Sequence, residues 1–308
     1  MKIIEINSIL LILLIAYCSL VLGQRPFWII GHMANSKSEL INFLDAGANA
    51  IEADVTFNST GSALITYHGV PCDCFRHCHS SCDINDYLKF VRNITTKNST
   101  EYRQNFTLLL LDLKTHLIDN KHLYNAGVAF AKTLYFNLFN STGKESTLRV
   151  LLAVEQISHQ NFILGFLNET KRSNFDFENR IGWQISENAN YAKIYEMWKN
   201  ISDAKNIWYS DGISNCVIFY RPKERGRDLL VHRDICNTIT DAYCPRKIYM
   251  WTVDYYNQLW GLWNHIDAVI TNNPWEIKRL VNSRYMKQLR LATVSDDPWE
   301  KYSTWRNG

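Results

Sequence analysis

The amino-acid sequence predicts an α/β fold, a single (β/α)8 TIM barrel. Three observations carry this. Short apolar runs alternate with helix-period segments along the whole chain, which is the pattern of a parallel sheet. No low-complexity linker divides the 308 residues, a length that one α/β barrel can fill. No glycine-rich phosphate loop follows the first strand, as a doubly wound nucleotide fold would require.

The elements follow in order. Phe27–Ile30 is a short apolar strand ending at Gly31 and His32. Ser36 and Glu39 have capping-box spacing, Leu40, Ile41, Phe43 and Leu44 give the helix they open a buried face, and Gly47 stops it. Strands come next at Ala50–Phe57 and Ala63–Tyr67. Asp83 can cap a helix carrying Tyr87, Leu88 and Val91. Leu108–Leu113 is almost wholly apolar, as expected of a strand covered on both faces. Leu123, Ala126, Phe130, Leu134 and Leu138 form a helix face, Arg149–Val154 a strand and His159–Leu167 a helix. Ile181–Ile185, Ile207–Ser210, Ile248–Val253 and Ala268–Thr271 are further strands, and Pro274 suits the first turn of another helix. That makes nine strands, one more than the barrel needs, so one should lie outside it.

Composition narrows the class. With 46% hydrophobic residues the chain can bury a full core, and a net charge of +3 without a Lys/Arg run gives no footprint for nucleic acid. Lys2 precedes an apolar run, Ile9–Leu22, too short to span a bilayer comfortably. It is read as a secretory signal cut near Gly23, leaving 24–308 as the barrel domain, with no transmembrane segment. Seven glycosylation sequons, at Asn58, Asn93, Asn98, Asn105, Asn140, Asn168 and Asn200, agree with export to the extracellular space. Of eight cysteines, Cys18 leaves with the signal. The other seven should mostly form disulfides, and at least one of them stays free or pairs between chains.

Polar residues gather at the strand ends. His32 ends the first strand, Glu52 and Asp54 share a face of the second, and His68 ends the third. Asp112 and Lys114 share a face at the end of the fourth, Trp251 and Asp254 end a late strand, and Asn272 follows the last. In a barrel these ends meet at one mouth. Three carboxylates offer hard oxygen ligands suited to Mg²⁺ or Ca²⁺, two imidazoles can divide acid and base work, Lys114 can neutralise a phosphate oxygen, and the Trp251 face can hold a quaternary ammonium. The set points to metal-assisted cleavage of a phosphodiester bearing a choline-like group.

Each residue alone has a plainer reading: a hydrogen-bonded structural histidine, a solvated acidic strand face, an ion pair worth under about 1 kcal/mol, a core tryptophan. Their convergence is what argues for a site. The loop Cys72–Cys82, with His77 and His79, could suggest zinc, but its spacing fits no common finger and secretion favours disulfides.

The motifs Trp28-Ile-Ile-Gly-His-Met33, Gly47-Ala-Asn-Ala-Ile-Glu-Ala-Asp54, Tyr67-His-Gly-Val-Pro-Cys-Asp-Cys74 and Leu111-Asp-Leu-Lys-Thr115 resemble the sphingomyelinase D or dermonecrotic toxin family of sicariid spiders, an arthropod phospholipase D group within the glycerophosphodiester phosphodiesterase barrels. Ser210-Asp-Gly-Ile-Ser-Asn-Cys216, Trp251-Thr-Val-Asp254, Ile270-Thr-Asn272 and the tail Ala292–Glu300 extend the match through nearly the whole mature chain. The resemblance implies a distorted barrel with disulfide-tied loops at its mouth, His32 and His68 as the catalytic pair, and Glu52, Asp54 and Asp112 as Mg²⁺ ligands. It implies that Lys114, Tyr249, Trp251, Asp254 and Asn272 line the substrate pocket, that Asp73 orients His68, and that Cys72–Cys78 and Cys74–Cys216 are bridged. Cys236–Cys244 departs from the spider pattern and is a plausible extra bridge, which leaves Cys82 over. The implied reaction frees choline or ethanolamine from sphingomyelin or lysophospholipid at a membrane surface or lipid aggregate, forms a cyclic phosphate, and is carried out by a monomer. A hydrolase of soluble glycerophosphodiesters and a non-catalytic lipid-binding barrel are the competing readings.

Overall fold

The computed structural model describes residues 24–139, 146, 148–177, 179–220, 223–259 and 261–301. The expected signal segment 1–23, with Cys18, and the Asn140 sequon lie outside them.

Eight parallel strands make the barrel: β1 (Arg25–Gly31), β2 (Ala50–Phe57), β5 (Leu108–Leu113), β6 (Arg149–Val154), β7 (Ile181–Ile185), β8 (Trp208–Gly212), β9 (Lys247–Trp251) and β10 (Ala268–Thr271). Their order is β7-β6-β5-β2-β1-β10-β9-β8. A single parallel bridge, Trp183 to Ile207, joins the two ends and nearly closes the cylinder. The ninth expected strand, β3 (Ala63–Thr66), runs antiparallel to β2 and pairs with the two-residue β4 (Cys82–Asp83), outside the barrel. β11 (Leu289–Leu291) adds a parallel edge to β1.

Local chemistry places the helices as expected where caps were readable. Ser36 and Glu39 complete a reciprocal capping box on α1 (Lys37–Asp45), and Gly47, at φ +108°, takes the left-handed turn beyond it. Asp83 caps α2 (Ile84–Thr95) by accepting from the Asn85 and Asp86 amides. The face from Leu123 to Leu138 is α3 (Leu123–Leu134) followed by one π-turn, Tyr135–Phe139, and α4 (Gln160–Arg172) follows β6. Two helices were not anticipated, α5 (Tyr191–Lys199) and α6 (Lys223–Thr238). The α6 sequence is dominated by charged and polar residues and has no helical apolar stripe to read. Pro274 opens α7 (Pro274–Val281), whose cap is Asn273.

Strand alternation sorts the core into two layers. Leu109, Leu111 and Leu113 of β5 pack outward against the helices. Leu108 and Leu110 point inward with Trp28, Ile30, Ala50, Leu151, Trp208, Tyr249, Ala268 and Ile270. Continuing the inward parity toward the carboxyl ends reaches His32, Glu52, Asp54, Asp112 and Trp251, so the filled barrel interior becomes the floor of a polar mouth.

The opposite end is sealed. The tail crosses it, with Trp299 packed beside Trp208, the Trp208 indole donating to the Pro298 carbonyl at 3.1 Å and Lys247 donating to the Glu300 carbonyl. Asp267, fully buried, accepts from Arg25 at 2.7 Å, pairs with Arg233 at 3.1 Å and takes the Ile248 amide at 2.8 Å.

Candidate active site

A cavity of about 360 Å³ opens at the carboxyl ends of the strands, lined among others by His32, Glu52, Asp54, His68, Asp112, Lys114, Tyr249 and Trp251. Glu52 and Asp54 come from β2 and Asp112 from β5, strands paired so that Asp54 and Asp112 are direct neighbours. The three carboxylates each offer an oxygen, and these oxygens lie within 4.8 Å of one another. Each is oriented by a fixed donor. The Met33 amide donates to Glu52 Oε2 at 2.6 Å, Asn35 Nδ2 to Asp54 Oδ2 at 2.8 Å, and Ser186 Oγ to Asp112 Oδ1 at 3.2 Å. Lys114 Nζ bridges Asp54 Oδ1 at 2.8 Å and Asp112 Oδ2 at 2.6 Å.

One ammonium among three carboxylates, two of them buried and Asp112 partly so, leaves an excess of negative charge. Burial and the neighbouring Asp54 push Glu52 up to about 8. Burial alone would raise Asp54 too, but Lys114, His68 and Asn35 hold it below its ordinary value. For Lys114, burial is outweighed by Asp112 and Asp54, which keep it firmly charged. An all-oxygen donor set with an unbalanced charge fits a hard divalent cation such as Mg²⁺.

The histidines reach the cavity by different routes. His32 directly follows β1, and its Nδ1 lies 3.0 Å from Asp73 Oδ2. Burial would lower its pKa, but Asp73, Glu52 and Asp54 together raise it above the usual imidazole value. His68 comes from the segment after β3, off the barrel, and its Nδ1 lies 2.7 Å from the Gly69 carbonyl. A carbonyl only accepts, so that nitrogen donates, which leaves Nε2 as the ring nitrogen free to exchange a proton with substrate.

Three sequence expectations need correction. Asp73 does not orient His68: it faces His32, where Asn272 Nδ2 also donates to it at 3.1 Å. Asn272 therefore stands behind the His32–Asp73 pair and is not among the cavity-lining residues. Asp254 is likewise a brace and not a wall. It accepts from Thr271 Oγ1 at 3.1 Å, the Asn272 amide at 2.7 Å and Asn215 Nδ2 at 2.9 Å, which occupies it with the loops beside the cavity. The cysteine loop forms the two bridges the resemblance implied, Cys72 to Cys78 and Cys74 to Cys216. Cys236 is bridged to Cys244 and Cys82 is free.

The sequence matches the family described as "Dermonecrotic toxin SPH" over residues 22–299. This chain belongs to the dermonecrotic toxin family. A dermonecrotic toxin of Hemiscorpius lepturus is 36% identical over 283 residues, covering 90% of this chain and 85% of its own. One from Sicarius terrosus is 35% identical over 288 residues, covering 91% and 99%. Among solved structures, a glycerophosphodiester phosphodiesterase from Thermotoga maritima overlaps with a TM-score of 0.46 and 13% identity, covering 83% of this chain and 99% of that one. With the family comes the enzyme class, a phospholipase D-type phosphodiesterase. Among the described residues no helix is long and apolar enough to cross a membrane.

Sequence reading of this dermonecrotic-family chain missed several residues that the site uses. Asn35 clamps Asp54 from both sides, donating to its carboxylate and accepting from its amide at 2.8 Å. Arg76 donates to the His32 and Met33 carbonyls, each at 3.0 Å, and so ties the cysteine loop to the end of β1. Glu155, Gln156, Ser186 and Glu187 complete the cavity wall. The signal for these four was available: they directly follow β6 and β7, and the same strand-end rule that found His32 and Asp112 would have found them.

Proposed function

We propose that the chain is a secreted, monomeric, Mg²⁺-dependent phospholipase D that frees the headgroup alcohol from sphingomyelin-type lipids and lysophospholipids and leaves a cyclic phosphate. The observation that carries this reading is the convergence of both histidines, the carboxylate trio and Lys114 on one cavity.

Glu52, Asp54 and Asp112 would hold the Mg²⁺, which when bound supplies charge neutralisation for a phosphate oxygen. Lys114, kept charged by its two carboxylate neighbours, adds a second cation for the phosphate. His68, with its Nδ1 proton committed to the Gly69 carbonyl, takes the proton from the lipid hydroxyl as that oxygen attacks phosphorus. His32, whose hold on a proton is strengthened by Asp73, delivers a proton to the headgroup oxygen as its bond to phosphorus breaks. One P–O bond forms, one breaks, one proton enters and one leaves, and no water is consumed.

Access to lipid is supported by the rim. Phe75 is fully exposed and Val70 76% exposed on the loop stapled by Cys72–Cys78 and Cys74–Cys216, and Val217 lies beside the second bridge. Rigid exposed apolar side chains next to a catalytic mouth suit insertion into a lipid surface. Secretion is supported by the disulfides and by the six described sequon asparagines, all of them part-exposed or exposed.

The test is phosphorus NMR of products from sphingomyelin, lysophosphatidylcholine and glycerophosphocholine in Mg²⁺. A cyclic phosphate from the two lipids, with slow turnover of the soluble diester, is the expected result. A linear product, or faster turnover of glycerophosphocholine, would replace this reading with the soluble-diester hydrolase.

A further inference from the structure

Between β1 and α1 the chain makes one turn, His32–Asn35, and both carboxylates of β2 are oriented by it. The Met33 amide donates to Glu52 Oε2 at 2.6 Å, and Asn35 Nδ2 donates to Asp54 Oδ2 at 2.8 Å. The Ala34 amide donates to the Glu52 carbonyl at 2.9 Å and fastens the turn to the main chain of β2. Met33 is buried at φ +51°, a left-handed conformation that side chains disfavour. Such a residue persists only where its surroundings hold it. Arg76 supplies a hold from the cysteine loop. Its Nη2 donates to the His32 and Met33 carbonyls, each at 3.0 Å, and so grips both peptide units that flank the Met33 Cα. In a planar trans peptide the C=O and N–H point in opposite directions. Fixing the His32 carbonyl therefore fixes the direction of the Met33 amide, the one that reaches Glu52. The guanidinium is itself placed from α1, 4.8 Å over the Phe43 ring and 3.6 Å from Glu39 Oε1, and the loop that carries it is closed by Cys72–Cys78.

We propose that Arg76 is a positioning residue of the metal site, and that it raises the affinity for Mg²⁺ by fixing the His32–Met33 peptide whose amide orients Glu52. The inference rests on the Mg²⁺ reading above. Two effects of Arg76 on a bound divalent cation have opposite signs. Its positive charge, one peptide behind Glu52, repels the cation, so charge alone would make removal of Arg76 tighten binding. Its grip on the turn keeps a ligand oxygen in place, so positioning makes removal weaken binding. Partners that orient a metal ligand from behind are worth about 10–100-fold in affinity. Arg76 stands one peptide further back and acts against its own charge, which puts the expected effect at the lower end of that range. The sign of the change therefore separates the two roles. Asp112 is oriented independently, by Ser186, so the effect should weaken the site without abolishing it.

Mg²⁺ binding to the full chain is read by isothermal titration calorimetry without lipid, for the wild type, Arg76→Met and Arg76→Gln. Both variants remove the guanidinium and its charge, and thermal melting in EDTA reports whether each is folded. The expected result is a Kd for Mg²⁺ raised about 10-fold in each variant. A residue that served the fold alone would lower the melting temperature and leave the Kd where it is. An unchanged or tighter Kd in either folded variant overturns the inference. Loss of the fold in both variants also overturns it, since Arg76 would then hold the barrel and not the site. A wild type that binds no Mg²⁺ refutes the metal reading itself, and the inference falls with it.

Discussion

The two ends of this barrel carry buried charge clusters of opposite composition. At the mouth, three carboxylates surround one lysine, and Glu52 is pushed up to about 8. At the base, Arg25, Arg233 and Lys247 surround Asp267, and burial beside two other cations brings Lys247 down to about 7. Both clusters are unbalanced, and each is expressed as a shift of its least compensated member. The base is closed, roofed by the tail, and relieves its imbalance internally by loosening a proton. The mouth opens into a cavity and can be relieved from outside, by a divalent cation. Buried charge therefore marks a functional site here only where it comes with an excess and an opening.

The largest expected effect tests the mouth. His32→Ala and His68→Ala should each lower headgroup release by about 10²–10⁴-fold with melting unchanged, the range for a lost acid or base. Full activity in either variant would remove that residue from the chemistry. Chelation comes next. EDTA should abolish turnover and Mg²⁺ restore it, and Mg²⁺ should raise the melting temperature of the wild type but not of Glu52→Gln, because a ligand that binds only the folded state stabilises it. Asp267→Asn should behave in the reverse manner, costing about 3–5 kcal/mol of stability by stranding buried cations, with activity per folded molecule retained. A drop in turnover without loss of stability would erase the contrast between the two ends.

Smaller effects sharpen it. Asp73→Asn removes the carboxylate facing His32, so the His32 pKa should fall and the alkaline limb of the pH–rate profile should move to lower pH, with about 10-fold lower kcat. A movement of the acid limb alone would restore His68 as the partner of Asp73. At the base, Lys247 binds its proton with a pKa of about 7 folded and about 10.5 unfolded. Between those values the unfolded chain holds the extra proton, so stability should rise with pH, by at most about 1.4 kcal/mol per unit. Lys247→Met should flatten that slope in a denaturant series.

Much of this was legible in the sequence because it is local or periodic. Ser36, Glu39 and Asp83 announce their helices through short-range caps, and parity along β2 and β5 alone brings Glu52, Asp54 and Asp112 to one face. The partner of Asp73 was not legible, because it depends on the path of a loop that Arg76 and two disulfides pull toward β1. Helix α6 was hidden by its polar composition, and β11 by its three-residue length. Asp254 and Asn272 were placed at the correct end of the barrel, but no local pattern shows that one would hold loops and the other would back Asp73.

The tail carries one further consequence. Strands β7 and β8 meet through a single bridge, and Trp299 lies across that seam, donating to the Asn179 carbonyl at 2.7 Å and packing so closely on Gly182 that an added Cβ would sit 2.5 Å from the indole. The residues that fasten the cylinder thus follow all of its strands along the chain. A nascent chain can assemble its staves during synthesis but cannot be hooped until Trp299 has emerged, so a chain truncated just before Pro298 should yield a leaky vessel and not a slightly shorter enzyme.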